Sequence, residues 1–174
     1  KTLPAGDLIV DNANITSAQS TPLAAPIAGL RDASASGGGR VRLEAGTIGT
    51  QGTIRVGANS LLQIGAGLRR ITGPVLLTGG TIAAADTITL ASTLSGTGFV
   101  AAPLKNAGIL SPGAPFGRIT LNNGYADSAG VGQVKLEVGG TTPAVDVDDL
   151  RAIGTARLGG TLELALANGF NPTP

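Results

Sequence analysis

Gln133-Val134-Lys135-Leu136-Glu137-Val138-Gly139-Gly140 holds an aliphatic residue at every second position for six residues and then stops on a pair of glycines. Side chains of a β-strand point to opposite faces in turn, so this spacing buries Val134, Leu136 and Val138 on one side and leaves Gln133, Lys135 and Glu137 in water. The same pattern recurs in both directions along the chain. Upstream stand Arg40-Val41-Arg42-Leu43-Glu44, Thr53-Ile54-Arg55-Val56, Thr87-Ile88-Thr89-Leu90 and Arg118-Ile119-Thr120-Leu121; downstream stands Thr161-Leu162-Glu163-Leu164-Ala165-Leu166. The β-branched Thr, Ile and Val favour strand over helix at these positions. Between the runs lie Gly37-Gly38-Gly39, Asn59-Ser60, Gly79-Gly80, Asn122-Asn123-Gly124, Gly159-Gly160 and Asn168-Gly169, which supply the backbone conformations that tight corners need.

Short strands with regular turns fit a β-sandwich as well as a coil of stacked strands. Composition separates the two. Of 174 residues 28 are Gly, against a usual share of about 7%. Aromatic residues make up 2%, with three Phe, one Tyr, no Trp and no Met to fill a thick core. A narrow, repetitive core of Ile, Leu, Val and Ala follows, the kind that stacked thin coils enclose. Gly46-Thr47-Ile48, Gly52-Thr53-Ile54, Gly80-Thr81-Ile82 and Gly160-Thr161-Leu162 read as a degenerate internal repeat. The expected fold is all-β, a β-solenoid forming one segment over residues 1–174. Disorder is opposed by 42% hydrophobic residues and a mean hydropathy of +0.28.

Two stretches break the pattern. Residues 17–39, with Pro22, Pro26 and an Ala-rich middle, read as a loop excursion with a short helical turn over about 27–33. Residues 101–117 carry Pro103, Pro112 and Pro115; since proline cannot donate into a ladder, this segment is expected to turn or to run along an edge.

Composition also bounds function. With neither His nor Cys, Ser-His-Asp and Cys-His catalysis and ordinary zinc sites have no residues to use, and no disulfide forms. No Walker-type phosphate loop occurs, and no cofactor is implied. Net charge is +1, Arg69-Arg70 is the only adjacent basic pair and stacking aromatics are scarce, so nucleic acid is not an expected partner. No stretch reaches the roughly 18 apolar residues of a membrane helix. The start at Lys1 and the end at Pro174 read as those of a processed protein or a fragment.

The chemical candidates are acidic. Asp146, Asp148 and Asp149 lie together, and Asp146 and Asp148 are spaced to share one side of a strand. Three roles are open to them: accepting hydrogen bonds from turn amides, holding Ca²⁺ with backbone oxygens, or acting as paired carboxylates on a glycan. The first is the most economical, and the Gly-Gly-x-Gly-x-Asp repeat of calcium-binding rolls is missing. Arg40 and Arg42 alternate with Glu44, and Arg55 is expected to stack beside them as a solvated charged stripe that discourages edge pairing.

Several boxes then fall in a familiar order. Leu110-Ser111-Pro112-Gly113-Ala114-Pro115-Phe116-Gly117-Arg118-Ile119-Thr120-Leu121, Val134–Pro143, Asp146-Val147-Asp148-Asp149-Leu150, Gly154–Leu162 and Asn168-Gly169-Phe170-Asn171-Pro172 resemble successive motifs of autotransporter-associated β-strand repeat proteins. Gly79–Ile82 and Leu94–Val100 are similar to the segments that precede them there. The resemblance covers about residues 75–172, with Val147 where the family usually has an aromatic. It implies a single-stranded right-handed parallel β-helix, followed by further strands, in the passenger of a surface or secreted protein of a Gram-negative-type bacterium. The expected function is a non-enzymatic structural or adhesive element, extracellular or on the cell surface, without catalytic, cofactor or metal site. Its expected partners are further copies joined through strand ends, glycans or a host surface. A polysaccharide-binding or polysaccharide-cleaving domain is the alternative.

Overall fold

A computed structural model describes residues 53–67, 70–113 and 115–172, the side chains of 66 and 67 excepted, and the backbone of four strands nearer the N-terminus. The strands are β1 Asp7–Val10, β2 Asn14–Thr16, β3 Gly29–Asp32, β4 Arg40–Ala45, β5 Ile54–Gly57, β6 Leu61–Gly67, β7 Arg70–Ile71, β8 Val75–Ala84 and β9 Ile88–Leu90. They continue with β10 Thr93–Ala101, β11 Leu104–Asn106, β12 Ile109–Pro112, β13 Arg118–Leu121, β14 Tyr125–Asp127, β15 Gln133–Val138, β16 Asp149–Ala152, β17 Ala156–Arg157 and β18 Thr161–Leu166. The described chain is all-β, with no helix, and every paired strand runs parallel to its neighbours.

The strands form a 13-stranded and a 5-stranded sheet. Within the larger sheet a first ladder runs β1-β3-β5-β8-β10-β12-β15-β18. A second runs β2-β4-β6, continues through the later halves of β8 and β10, and ends with β13 and β16. The smaller sheet orders β7-β9-β11-β14-β17. From β5 onward the chain visits first ladder, second ladder and small sheet in turn before returning to the first, an order consistent with a parallel β-helix.

Register converts the alternation into columns. Leu8, Leu30, Ile54, Val75, Leu94, Leu110, Val134 and Leu162 occupy one position of the first ladder. Leu62, Ile82, Val100 and Leu121 do the same in the second, and Ile88, Leu104 and Tyr125 in the small sheet. From Ile54 to Val134 these residues are buried and belong to one core cluster. Full burial of each such side chain contributes about 1.5–3 kcal/mol, which offsets the ordering of a Gly-rich backbone.

Where β8 and β10 bend from the first ladder toward the second, beside the end of β5, backbones meet directly. A methyl group on Gly98 would collide with the carbonyl oxygen of Gly80, and one on Gly80 with that of Gly57. Glycine is needed here for close approach, and Gly79-Gly80 bends a continuous strand where a break between strands was expected.

Three further expectations change. Gly29–Asp32 is a strand paired with β1, not part of a helical turn over 27–33; the rest of residues 17–39 lies outside the described residues. Residues 101–117 turn, as one alternative had it, at 107–108 and again after β12, but they do not run along an edge: they contain β11 and β12, each paired on both sides. The prolines fit because Pro103 precedes β11, its carbonyl accepting the Ile88 amide at 2.9 Å, and Pro112 ends β12 beyond its registered pairs. The charged stripe is also divided. β4, which carries Arg40 and Arg42, belongs to the second ladder and β5, with the exposed Arg55, to the first, so Arg55 does not stack beside them.

Candidate functional site

The acidic cluster sits where the corner between the two ladders opens outward. In β8 and β10 that corner is a bend. After β12 and after β15 it becomes an excursion, with residues 113 and 115–117 described in the first and 139–148 forming the second. Asp148 ties the two together. Its carboxylate is buried and accepts the Gly117 amide at 3.1 Å through Oδ1 and the Glu137 amide at 2.9 Å through Oδ2. Burial raises the pKa of Asp148 above the ordinary carboxylate value; the two amide hydrogen bonds oppose the shift and the nearby Glu137 charge adds to it.

The neighbouring aspartates face other tasks. Asp146 lies in a turn, not on a strand, so it does not share a strand face with Asp148; its Oδ1 accepts the Thr142 amide and its carbonyl accepts the Gly139 amide at 2.7 Å. Asp149 opens β16 and receives Arg118 Nε at 2.6 Å and Arg151 Nε at 3.0 Å on a single oxygen. The three carboxylates are thus distributed over three sets of donors. Among the described residues no three acidic side chains converge in a group able to hold a metal ion.

A second polar cluster lies inside the stack. In the small sheet the column Ile71, Leu90, Asn106, Asp127 turns from aliphatic to polar at β11. Asn106 is fully buried, and its Nδ2 donates to Tyr125 Oη at 3.0 Å, Asp127 Oδ1 at 3.2 Å and the Gln133 carbonyl at 3.1 Å. Its Oδ1 accepts the Gly108 amide at 3.1 Å. The Tyr125 hydroxyl donates to Asp127 Oδ1, and burial together with that carboxylate raises its pKa. These contacts satisfy every polar atom of the Asn106 side chain, so the cluster fixes register between three strands and leaves little for a ligand.

Two outer features emerge only from the pairing. Leu162, Leu164 and Leu166 of β18 are 58%, 64% and 62% exposed, although Leu162 continues the buried column through Val134. In the small sheet Arg70, Lys105 and Arg157 stand on alternate strands at one register position, and all three are exposed. Of the pair Arg69-Arg70, only Arg70 is among the described residues. Sequence reading finds no basic stripe because these three cations are far apart along the chain; the signal that contains it is the central residue of Ile88-Thr89-Leu90 and Leu104-Lys105-Asn106, outward between two buried neighbours.

Comparison with known proteins adds no relative to this geometry: no family model, no curated protein and no solved structure matches the chain.

Proposed function

We propose that the chain is a segment of parallel β-helix, a β-solenoid, serving as a non-enzymatic structural and adhesive element of an extracellular or cell-surface bacterial protein, of the autotransporter-associated type that residues 75–172 resemble. The observation that carries the reading is the first-ladder column from Ile54 to Val134, which keeps one aliphatic position buried on five successive strands. Such a column serves length and exposure: each added strand buries a narrow stripe against the last, so the stack extends without a thicker core. A non-enzymatic role agrees with a chain lacking His and Cys, whose described acidic clusters are spent on holding backbone amides and neighbouring side chains.

The test is surface display. Antibody raised against the 174-residue chain is expected to label intact cells of the source bacterium or to find the chain in the medium; label obtained only after lysis would sink the reading. A second reading, association of copies through strand ends, is favoured by one observation, the exposed leucine row of β18.

A further inference from the structure

We infer that the outer face of the 5-stranded sheet binds an acidic polysaccharide that carries a negative charge on every second sugar. The column is Arg70, Thr89, Lys105, Ala126, Arg157, each registered on the next. Its outward direction follows from the buried neighbours, Ile71 beside Arg70 and Leu104 and Asn106 flanking Lys105. Parallel strands lie about 4.8 Å apart, so cations on alternate strands recur every ~9.6 Å along the stack. That is close to the length of one disaccharide in an extended glycan.

Chemistry in the column suits the same ligand. None of the three cations forms an ion pair among the described residues; the ion pairs there use Arg118, Lys135 and Arg151 on the larger sheet. The Asp127 carboxylate nearest in the sheet is turned to Tyr125 and Asn106. Between the cations stand only Thr89 and Ala126, one offering a hydroxyl to a sugar and the other leaving room for it. The guanidinium forks of Arg70 and Arg157 can each take a carboxylate or sulfate through two hydrogen bonds.

The spacing disfavours other polyanions. Phosphates of a duplex strand recur about every 3.4 Å along the axis, far more densely than the cations. The column also has no aromatic ring on which a base could stack. Anionic membranes are held by clusters of about 4–8 basic residues, more than this face supplies. The inference stands on the register of the small sheet and goes beyond the structural role proposed above.

Hyaluronan, which has a carboxylate on every second sugar, is the probe. The 174-residue chain is expected to bind hyaluronan at low ionic strength, to release it as salt rises, and not to bind neutral dextran. Replacing the three exposed cations, Arg70→Gln, Lys105→Gln and Arg157→Gln together, is expected to weaken binding by roughly tenfold or more with an unchanged circular dichroism spectrum. Lys135→Gln, in the first ladder, is expected to bind as the parent does. No binding of the parent chain to hyaluronan, or equal binding by the triple variant, overturns the inference. Tighter binding to single-stranded DNA than to hyaluronan also overturns it, assigning the stripe to nucleic acid instead.

Discussion

At the scale of single residues, Asp148 shows how one side chain converts an irregular sequence into a defined corner. One amide from the 113–117 excursion and one from β15 end on its two oxygens, so truncation would leave both donors without their acceptor. Asp148→Ala is therefore expected to cost roughly 2–4 kcal/mol in urea unfolding, one to two kcal/mol for each stranded amide. The pH dependence has a definite sign. The pKa of Asp148 is raised in the folded chain, so the folded state holds this proton more firmly than the unfolded state does. Its contribution is then fully present below the ordinary carboxylate pKa and is lost as pH rises through the raised value. Measured against Asp148→Asn, which does not titrate, the parent chain should lose relative stability as pH rises across that window and level off above it. A difference that grows with pH would show that the amide hydrogen bonds outweigh burial.

At the scale of strands, the outcome depends on whether a segment's alternation is long enough to see. Gln133–Val138 and Thr161–Leu166 are strands over the residues their alternation marks, because six positions establish the period. β7 and β17 have two residues each and β11 only three, too few to show any period, and they acquire their faces from their neighbours' register. β8 conceals itself differently: Gly79-Gly80 resembles a turn between strands, but close packing on Gly57 makes it a bend within one. The aspartates were legible as a cluster, not as two amide acceptors and one partner of two arginines, since which donor each meets depends on how far the excursions extend. β18 presents an exposed row of leucines. Its leucine row should promote self-association, visible as a sedimentation coefficient that rises with concentration. Leu162→Lys with Leu164→Lys, placing charge on an open edge, should abolish that rise. Because both side chains are already exposed, the variant should stay within about 0.5 kcal/mol of the parent's stability. A parent chain that sediments as a monomer at all concentrations would remove end association from consideration.

At the scale of the whole molecule, pairing and burial both vary along the stack, and stability should vary with them. Each strand of the first ladder between β3 and β15 has partners on two sides, and the first-ladder column is almost fully covered at Leu94 and Leu110. By contrast β17 and β18 are exposed at every residue, and β18 pairs only with β15 among the described strands. If the chain is a stack in which each layer interacts mainly with the next, its free energy is close to a sum of layer and interface contributions. Opening should then start where an interface is missing and proceed inward, since removing an end layer sacrifices one interface and removing a central one sacrifices two. Native-state hydrogen exchange reads this directly. The amides of Leu94, Val100 and Leu121 are expected to exchange through openings costing at least roughly 3 kcal/mol more than those of Leu162, Leu164 and Leu166. β15 and β16 should fall between the two groups. Uniform protection from β8 to β18 would mean that the described chain unfolds as one cooperative unit, and the layered account of its stability would have to be abandoned.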